Sequence, residues 1–253
     1  MLHMISIRYD REFFNFLKIT SVESARHIIP ICLDLINPKK VIDVGCGRGS
    51  FLKIFADNGV EFIYGIDGEW VNEADLDIPL KFFRYVNLEK EIQIYDKFDL
   101  VICLEVAEHL TPGRASSFVD DLCRLSDVVL FSAAIPFQGG TSHINERPIT
   151  YWADLFKKNN YVWIDSIRKK IWNKTSFWYS QNCILFVKEA AISSYPSLQL
   201  ELGLQGENLM DFIHPEVFRK NHFLNITGRD YIALLPCVIL KLIKKIKKLI
   251  WSY

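Results

Sequence analysis

The sequence lacks any Cys-x-x-Cys pair, although it contains six cysteines. Zinc sites and redox dithiols usually bring two cysteines together at that short spacing, so a structural zinc site has little support. The cysteines are scattered singly along the chain, at Cys32, Cys46, Cys103, Cys123, Cys183 and Cys237. We therefore expect reduced cysteines that pack as small, buried apolar side chains in a reducing compartment.

Long hydrophobic runs are also absent. The longest one near the C-terminus, residues 231–240, has ten residues and contains Pro236, whereas spanning a bilayer takes about 20 apolar residues. Charged residues interrupt residues 1–12, so this stretch does not resemble a secretory leader. We therefore expect a cytoplasmic protein.

The sequence also has no net charge, since 30 basic residues balance 30 acidic ones. This balance argues against nucleic-acid binding driven by bulk positive charge. The distribution is uneven, because residues 241–253 hold five lysines and no acid, which leaves residues 1–240 at −5. Apolar residues at helical spacing alternate with these lysines, as in helices that lie on membranes. We expect residues 237–253 to contact an anionic membrane surface; a helix that docks on this protein or on a second subunit is the alternative.

Short apolar segments alternate with helical ones between residues 21 and 188. The predicted strands are 40–44, 62–66, 83–86, 98–104, 127–134, 161–167 and 182–187, and the predicted helices are 24–35, 50–58, 112–125 and 150–159. This alternation indicates an α/β fold with a doubly wound, mostly parallel sheet. Outside residues 21–188, we expect an N-terminal segment at 1–20, an irregular extension at 189–230 and a basic amphipathic helix at 231–253.

A glycine-rich turn follows the first predicted strand, with the order Asp-Val-Gly-Cys-Gly-Arg-Gly at residues 43–49. Gly45 and Gly47 allow the backbone to turn sharply and to approach a ligand closely, and Gly49 permits tight packing of helix against strand. No Lys-Ser or Lys-Thr follows these glycines, which excludes a P-loop.

A carboxylate ends the second predicted strand at Asp67. At this position an acidic side chain can accept hydrogen bonds from both hydroxyls of a ribose. The alternative is a cap of the turn that begins at Gly68.

The run at residues 43–49 resembles motif I of the class I S-adenosylmethionine-dependent methyltransferases. The resemblance covers residues 21–188 and continues through 86–88, 98–110, 131–136, 138–146, 151–152 and 178–182. The later segments resemble a bacterial subgroup that is often encoded beside polysaccharide or specialised-metabolite genes. The resemblance implies S-adenosylmethionine as cofactor and a Rossmann-like, seven-stranded sheet whose last strand is antiparallel.

The resemblance also implies which residues line the cofactor site. They are Asp43, Gly45, Cys46, Gly47, Gly49, Asp67, Gly68, Asn87, Leu88, Leu104 and Glu105. Asp43 would help to organise the methionine ammonium, and Asp67 would hold the ribose. Asn87 stands where the family usually has an acid, so we expect a weaker contact with the adenine.

Methyl transfer to oxygen requires alignment of donor and acceptor and usually a base. We predict that His143, in a Gly-rich loop with Glu146 nearby, is this base; the alternative is a loop histidine simply bonded to Glu146. His109 is the second candidate, since a helix there would place it on one face with Glu105; the alternative is that His109 only orients its loop. Because the His-x-x-Glu spacing is common, we expect no metal.

Aromatic and polar residues before the last strand favour a substrate wall. The predicted substrate-binding residues are Trp178, Tyr179, Gln181, Asn182 and Arg147. Core packing is the alternative for the aromatic residues. Arg147 and Arg168 could hold an anionic group of the substrate, and solvated surface positions are the alternative.

We therefore expect O-methylation of a sugar, a sugar nucleotide or a phosphate-type group of a surface-glycan precursor. N- or O-methylation of a small specialised metabolite is one alternative, and a non-catalytic cofactor-binding partner protein is another. We expect no nucleic-acid substrate, because the base-flipping signature Asn/Asp-Pro-Pro-Tyr/Phe is absent. The oligomeric state is left open.

Overall fold

The computed structural model describes residues 11–205 and 210–217, with side chains from Thr20 onward. The chain divides into two compact units, residues 1–214 and 215–253. Only residues 215–217 of the second unit are described, so the basic segment 237–253 and Cys237 lie outside the described residues. No helix in the described part of the chain is long and apolar enough to cross a membrane.

A seven-stranded sheet forms the centre of the first unit, with the strand order β3-β2-β1-β4-β5-β7-β6. The strands are β1 Lys40–Val44, β2 Phe62–Asp67, β3 Phe83–Tyr85, β4 Leu100–Leu104, β5 Val128–Ser132, β6 Tyr161–Ile164 and β7 Ile184–Lys188. Strands β1 to β5 pair in parallel, whereas β7 is antiparallel to both of its neighbours. The predicted fold class, including the antiparallel last strand, is confirmed.

Seven α-helices accompany this sheet in the described residues. They are α1 Arg11–Ile36, α2 Ser50–Asp57, α3 Ala115–Leu125, α4 Ile149–Lys158, α5 Arg168–Ile171, α6 Phe177–Asn182 and α7 Pro196–Leu204. Helix α1 begins well before the predicted cap at Ser24. Ser24 is buried, and its hydroxyl accepts a hydrogen bond from the backbone N–H of Ser176 at 3.3 Å, so it makes a tertiary contact inside the helix.

The stretch after the sheet is more regular than the sequence predicts. A 3-10 turn at Glu189–Ser194 leads into helix α7, whose Leu198 is fully buried in the main core. The short helices α5 and α6 were also not predicted, because four to six residues are too few to display a helical period.

The core lies on both faces of the sheet. Every residue of β5, from Val128 to Ser132, is buried, as expected for a central strand covered by helices on both sides. The five described cysteines are free and buried, which confirms that part of the cysteine prediction.

The strand order changes direction between β1 and β4, which lie side by side at the middle of the sheet. Strand β1 continues toward β2 on one side, and β4 continues toward β5 on the other. A crevice therefore opens at the carboxyl ends of β1 and β4, where open α/β sheets bind their ligands.

Candidate active site

The glycine-rich loop after β1 is held against the end of β2. The backbone N–H groups of Gly45 and Cys46 donate to the carbonyl of Ile66 at 2.8 and 3.1 Å. Gly45 has φ +82°, and a Cβ on it would lie 2.3 Å from a methyl carbon of Val106, so only glycine fits. Gly47 also has a positive φ, but a Cβ there would meet no atom within 4 Å. The loop therefore leaves open space above Gly47, which suits close approach of a ligand.

Asp67 ties the end of β2 to this loop. Its Oδ2 accepts from the N–H of Gly47 at 2.6 Å, and its Oδ1 accepts from the N–H of Gly68 at 2.7 Å. The carboxyl group is buried, which raises the pKa of Asp67, while the two N–H donors oppose this rise. The turn cap considered for Asp67 is therefore present, and contact with a ribose stays a prediction.

A second buried carboxyl group lies beside it at Asp43, in β1. Burial raises the pKa of Asp43 well above its usual value, and the charge of Asp67 adds to that rise. Two neighbouring acids therefore lie at the ends of β1 and β2, an arrangement that suits a ligand with hydroxyl groups and an ammonium.

The remaining predicted cofactor residues differ in their exposure. Cys46 and Leu88 are buried, Leu104 is half-buried and Asn87 is exposed. The side-chain oxygen of Asn87 accepts from the N–H of Glu89 at 3.0 Å and so caps a turn. Gly49 packs tightly, because a Cβ on it would lie 2.8 Å from Ile78. Contact of these residues with a cofactor stays a prediction.

Glu105 differs from the expected arrangement. It has φ +56°, a left-handed conformation, and the following turn at Ala107–His109 is a 3-10 helix. The predicted helical face shared by Glu105 and His109 is therefore wrong, since the chain does not continue as an α-helix from Glu105. The Glu105 carboxylate instead accepts from the side-chain amides of Asn182 at 3.0 Å and Gln138 at 3.1 Å.

Glu108 is the most unusual side chain of the site. It is 0% exposed, and neither of its carboxyl oxygens has a hydrogen-bond partner among the described residues. Burial raises the pKa of Glu108 well above its usual value, and the charge of Glu105 is the next largest cause. Its backbone carbonyl accepts from the N–H groups of Ile144 and Asn145 at 2.9 and 3.0 Å, which fixes the loop after β5 against this turn.

That loop carries His143 to His109, and the two rings lie 4.9 Å apart at nearly a right angle. The Nδ1 atom of His109 lies 3.3 Å from the carbonyl oxygen of Ser142, and the Nδ1 atom of His143 lies 2.9 Å from Oε1 of Glu146. Both partners are acceptors, so each Nδ1 carries a proton, and each Nε2 keeps its lone pair when its ring is neutral. Burial, followed by the charge of His143, lowers the pKa of His109.

Glu108, His109 and His143 each place one potential ligand atom within 4.8 Å of the others. Both histidines are residues that the sequence predicts for the site, whereas Glu108 is not among them and no metal is expected. The available signal was the adjacency of Glu108 and His109 in a turn that follows a strand. His143 comes from a different loop, so its approach to them is decided by the tertiary structure.

Of the four predicted substrate-binding residues in α6, one is half-buried and three are buried. Trp178 is half-buried, whereas Tyr179 is buried with its ring 5.7 Å from that of Phe51 in α2. Gln181 is fully buried and donates to the carbonyl of Phe212 at 2.7 Å. Asn182 is also buried and bonds to Glu105. Substrate contact by these residues stays a prediction.

The two predicted anion-binding arginines differ. Arg168 is fully buried and forms an ion pair with Asp165 at 2.8 Å, so it is not a solvated surface residue. Arg147 is half-buried, and its guanidinium lies 5.2 Å from the ring centre of Tyr151. Its Nε donates to the side-chain oxygen of Asn145 at 2.9 Å, and no acidic side chain among the described residues pairs with it.

Comparison with known families gives one clear match. A family model described as a methyltransferase domain matches residues 20–169. This region includes the glycine-rich loop, Asp67, Glu108 and both histidines.

Curated proteins of two kinds are similar to this chain in sequence. The small RNA 2'-O-methyltransferase of Mus musculus is 30% identical over 115 residues, which are 38% of this chain and 27% of that protein. The ubiquinone biosynthesis O-methyltransferase of Neisseria meningitidis serogroup C (strain 053442) is 30% identical over 141 residues, which are 49% of this chain and 54% of that protein. The chain therefore spans about half, or less, of the length of these relatives.

Among solved structures, the magnesium protoporphyrin IX methyltransferase of Synechocystis PCC 6803 with bound SAH is similar in fold. Its TM-score is 0.52 at 17% identity, over 72% of this chain and 90% of that chain. This likeness shows the fold of the sheet and its helices.

Proposed function

The chain belongs to the methyltransferase domain family that its residues 20–169 match, and from this premise we propose that it methylates a hydroxyl oxygen beside Glu108, His109 and His143. The cofactor of this family is S-adenosylmethionine. One observation carries the proposal: Glu108 is fully buried with both carboxyl oxygens unpartnered, next to two histidines whose ligand atoms converge with its own within 4.8 Å.

These three residues fit a divalent cation. A buried carboxylate without hydrogen-bond partners is unfavourable, and a bound cation offsets that cost. Two imidazoles and one carboxylate form a donor set that first-row divalent metals accept. When bound, such a cation supplies Lewis acidity that favours ionisation of an acceptor hydroxyl.

The other residues of the site position this set. Glu146 and the Ser142 carbonyl hold the Nδ1 atoms of His143 and His109, which leaves the two Nε2 atoms available as ligands. The N–H groups of Ile144 and Asn145 hold the Glu108 turn. In the reaction the S–CH₃ bond of the sulfonium breaks and leaves a neutral thioether, the O–CH₃ bond forms, and the hydroxyl proton passes to solvent water.

The names of the curated relatives support oxygen as the acceptor atom, since both are O-methyltransferases. Direct proton removal by His143 without a cation is the second candidate mechanism. The His143–Glu146 hydrogen bond favours it, because a carboxylate partner at Nδ1 fixes the orientation of the ring and its tautomer. The buried Glu108 carboxyl group, which has no hydrogen-bond partner among the described residues, favours the mechanism with a cation.

For the acceptor we propose a hydroxyl of a sugar or sugar nucleotide, as in surface-glycan precursors. Arg147 supports this class, because its half-buried guanidinium has no acidic partner in the described residues and can pair with a phosphate. The ribose hydroxyls of RNA and small specialised metabolites are tested as alternative acceptors. Membrane contact through residues 237–253, which lie outside the described residues, stays a prediction that vesicle sedimentation checks.

The test incubates the protein with methyl-labelled S-adenosylmethionine and sugar nucleotides, glycan fragments, short RNAs or phenolic metabolites, read by mass spectrometry. Each reaction is run with EDTA and again with added Mn²⁺. We expect a methyl group on an acceptor oxygen, lost in EDTA and restored by Mn²⁺. Glu108→Gln should abolish the Mn²⁺ stimulation. Glu61→Gln is the matched control, since Glu61 is exposed and pairs only loosely with Lys39 at 3.5 Å.

Equal turnover in EDTA and in Mn²⁺ would reject the cation and favour His143 as base. Cofactor binding without transfer to any acceptor would favour a non-catalytic partner protein. Absence of S-adenosylmethionine binding would reject the proposed activity altogether.

A further inference from the structure

The connection between β3 and β4 forms no helix, since residues 86–99 contain only turns and irregular backbone. In a doubly wound sheet, a connection between parallel strands usually carries a helix that covers one face of the sheet. Here residues of this loop and residues of the first three strands together line an open cavity of about 560 Å³. We call it the loop cavity.

The loop cavity begins at the opposite end of the strands from the glycine-rich turn. Lys40 and Phe62 are the first residues of β1 and β2, and both line it. Strand β2 ends at Asp67, and at a rise of about 3.3 Å per residue its two ends lie about 16 Å apart. The amino end of the loop cavity is therefore distant from the carboxyl edge where methyl transfer is proposed.

The loop wall of the cavity is fixed by helix α3. The guanidinium of Arg124 donates from Nη1 to the carbonyl oxygen of Ile94 at 2.6 Å, and from Nη2 to that of Ile92. The N–H of Ile92 donates in turn to the carboxylate of Asp121 at 3.1 Å. Because the fold itself holds this wall, a ligand would bind with little loop ordering, which favours affinity.

Aromatic rings line the loop cavity from both the loop and the sheet. Tyr95 on the loop is 76% exposed, and its ring centre lies 5.5 Å from the guanidinium of Arg124. Phe62 on β2 is 38% exposed, and its ring stacks at 6.3 Å and 24° with that of Tyr64. Exposed rings in a cavity suit a planar group that stacks on them.

The charged and polar residues of the loop cavity differ in how far they are already occupied. Lys40 lies 3.7 Å from a carboxylate oxygen of Asp96 and 4.7 Å from the ring centre of Phe98. Arg84 on β3 is exposed and forms no ion pair within the described part of the chain. A planar guanidinium with free donors suits a phosphate group. The amide of Gln93 and the carboxylate of Asp96 add donors and acceptors for a base edge and ribose hydroxyls.

We propose that the loop cavity binds a nucleoside phosphate, whose base stacks on Tyr95 and Phe62 and whose phosphate pairs with Arg84. A neutral glycan would leave the charge of Arg84 unused, and a simple anion would leave the aromatic rings unused. A nucleoside phosphate matches both. This site is separate from the proposed methyl transfer and depends neither on the acceptor nor on a cation.

The test measures binding of AMP and UMP by isothermal titration calorimetry on the full chain. Saturating S-adenosylhomocysteine is present throughout, because it blocks the cofactor site against the adenine of AMP. We expect both nucleotides to bind. Arg84→Gln should weaken their binding by at least about tenfold, the effect of losing a charge-assisted hydrogen bond. Tyr95→Ala should weaken it by about 5- to 100-fold through loss of stacking, whereas Tyr95→Phe should retain it.

Arg26→Gln is the matched control for the change of charge, since Arg26 is an exposed arginine on α1 and does not line the cavity. Arg84 and Tyr95 are both exposed, so the variants should fold, and thermal unfolding checks this. Adenosine and inorganic phosphate are titrated in parallel and should each bind much more weakly than AMP.

Four results would overturn the proposal. The first is no binding of AMP or UMP at millimolar concentrations, including the case in which a short RNA binds and the nucleotides do not. The second is nucleotide binding that appears only when S-adenosylhomocysteine is left out, since the cofactor site would then account for it. The third is adenosine or inorganic phosphate that binds as tightly as AMP. The fourth is wild-type affinity in both Arg84→Gln and Tyr95→Ala.

Discussion

Oε1 of Glu146 lies 2.9 Å from Nδ1 of His143, and the same carboxylate also accepts from the backbone N–H groups of Phe137 at 2.9 Å and Gly139 at 2.8 Å. One side chain therefore holds both the loop after β5 and the ring that this loop presents. The bond to Nδ1 leaves Nε2 of His143 as the ring nitrogen available to a ligand, and His143 offers a ligand atom within 4.8 Å of those of Glu108 and His109. The bond between His143 and Glu146 that the sequence offers as the alternative is therefore present, and a catalytic role for either residue stays a prediction.

Replacing Glu146 by glutamine should loosen this arrangement, since an amide offers one acceptor oxygen where the carboxylate offers two. We expect Glu146→Gln to weaken Mn²⁺ binding and turnover by about 10- to 100-fold. Glu201→Gln is the control, because Glu201 pairs with Lys170 on a distant helix. Mn²⁺ titration at wild-type affinity in Glu146→Gln would contradict the role assigned to Glu146.

Gly140 gives His143 the room for its position. A Cβ on Gly140 would lie 2.2 Å from Nε2 of His143, so Gly140→Ala must displace the ring. We expect Mn²⁺ affinity to fall by at least about tenfold while the protein stays folded, since the loop is at the surface. Gly113→Ala is the matched control, because a Cβ there meets no atom within 4 Å. Unchanged Mn²⁺ affinity in Gly140→Ala would show that His143 is not needed at this place.

Asp67 is the residue to change for cofactor binding. Asp67→Ala removes both the predicted ribose acceptor and the bonds that hold the N–H groups of Gly47 and Gly68. We expect S-adenosylmethionine binding to weaken by at least about 1 kcal/mol, the scale of one such hydrogen bond. Isothermal titration calorimetry measures it. Asp57→Ala, in an exposed ion pair with Lys53, serves as control, and equal affinities in all three proteins would remove Asp67 from the site.

Gly45 should matter for stability. Gly45→Ala places a Cβ 2.3 Å from Val106 at a backbone φ of +82°. We expect the free energy of unfolding to fall by about 1–3 kcal/mol from overpacking and strain together. Urea denaturation measures this loss. Adding Val106→Ala should relieve the steric part only, and an unfolding free energy unchanged in Gly45→Ala would refute the close packing.

Local features of the chain were sufficient to predict the sheet and the glycine-rich turn after β1. The glycines of residues 43–49 and the acid at the end of β2 are recognisable because turn geometry and strand ends depend on neighbouring residues. The alternation of apolar strands with helices likewise predicts the sheet and its approximate strand bounds. The start of α1 was not predicted, because Ser24 is a good cap by type and yet is buried against Ser176.

The rest of the site depends on contacts between distant segments. Glu108 is an ordinary acidic residue in the sequence, and only the loop after β5 places His143 beside it. Asn182 looks like part of a polar stretch before the last strand, and only the end of α6 brings it to Glu105. No local pattern encodes these distances.

By itself, the sequence determined a doubly wound α/β sheet with a glycine-rich turn after β1, because these features follow from periodicity and from the backbone freedom of particular residues. The tertiary structure decided which carboxylates, imidazoles and amides meet at the carboxyl edge of β4 and β5. The physical reason is that parallel strands deliver loops from remote parts of the chain to one edge. The burial that results there leaves Glu108 with no hydrogen-bond partner among the described residues.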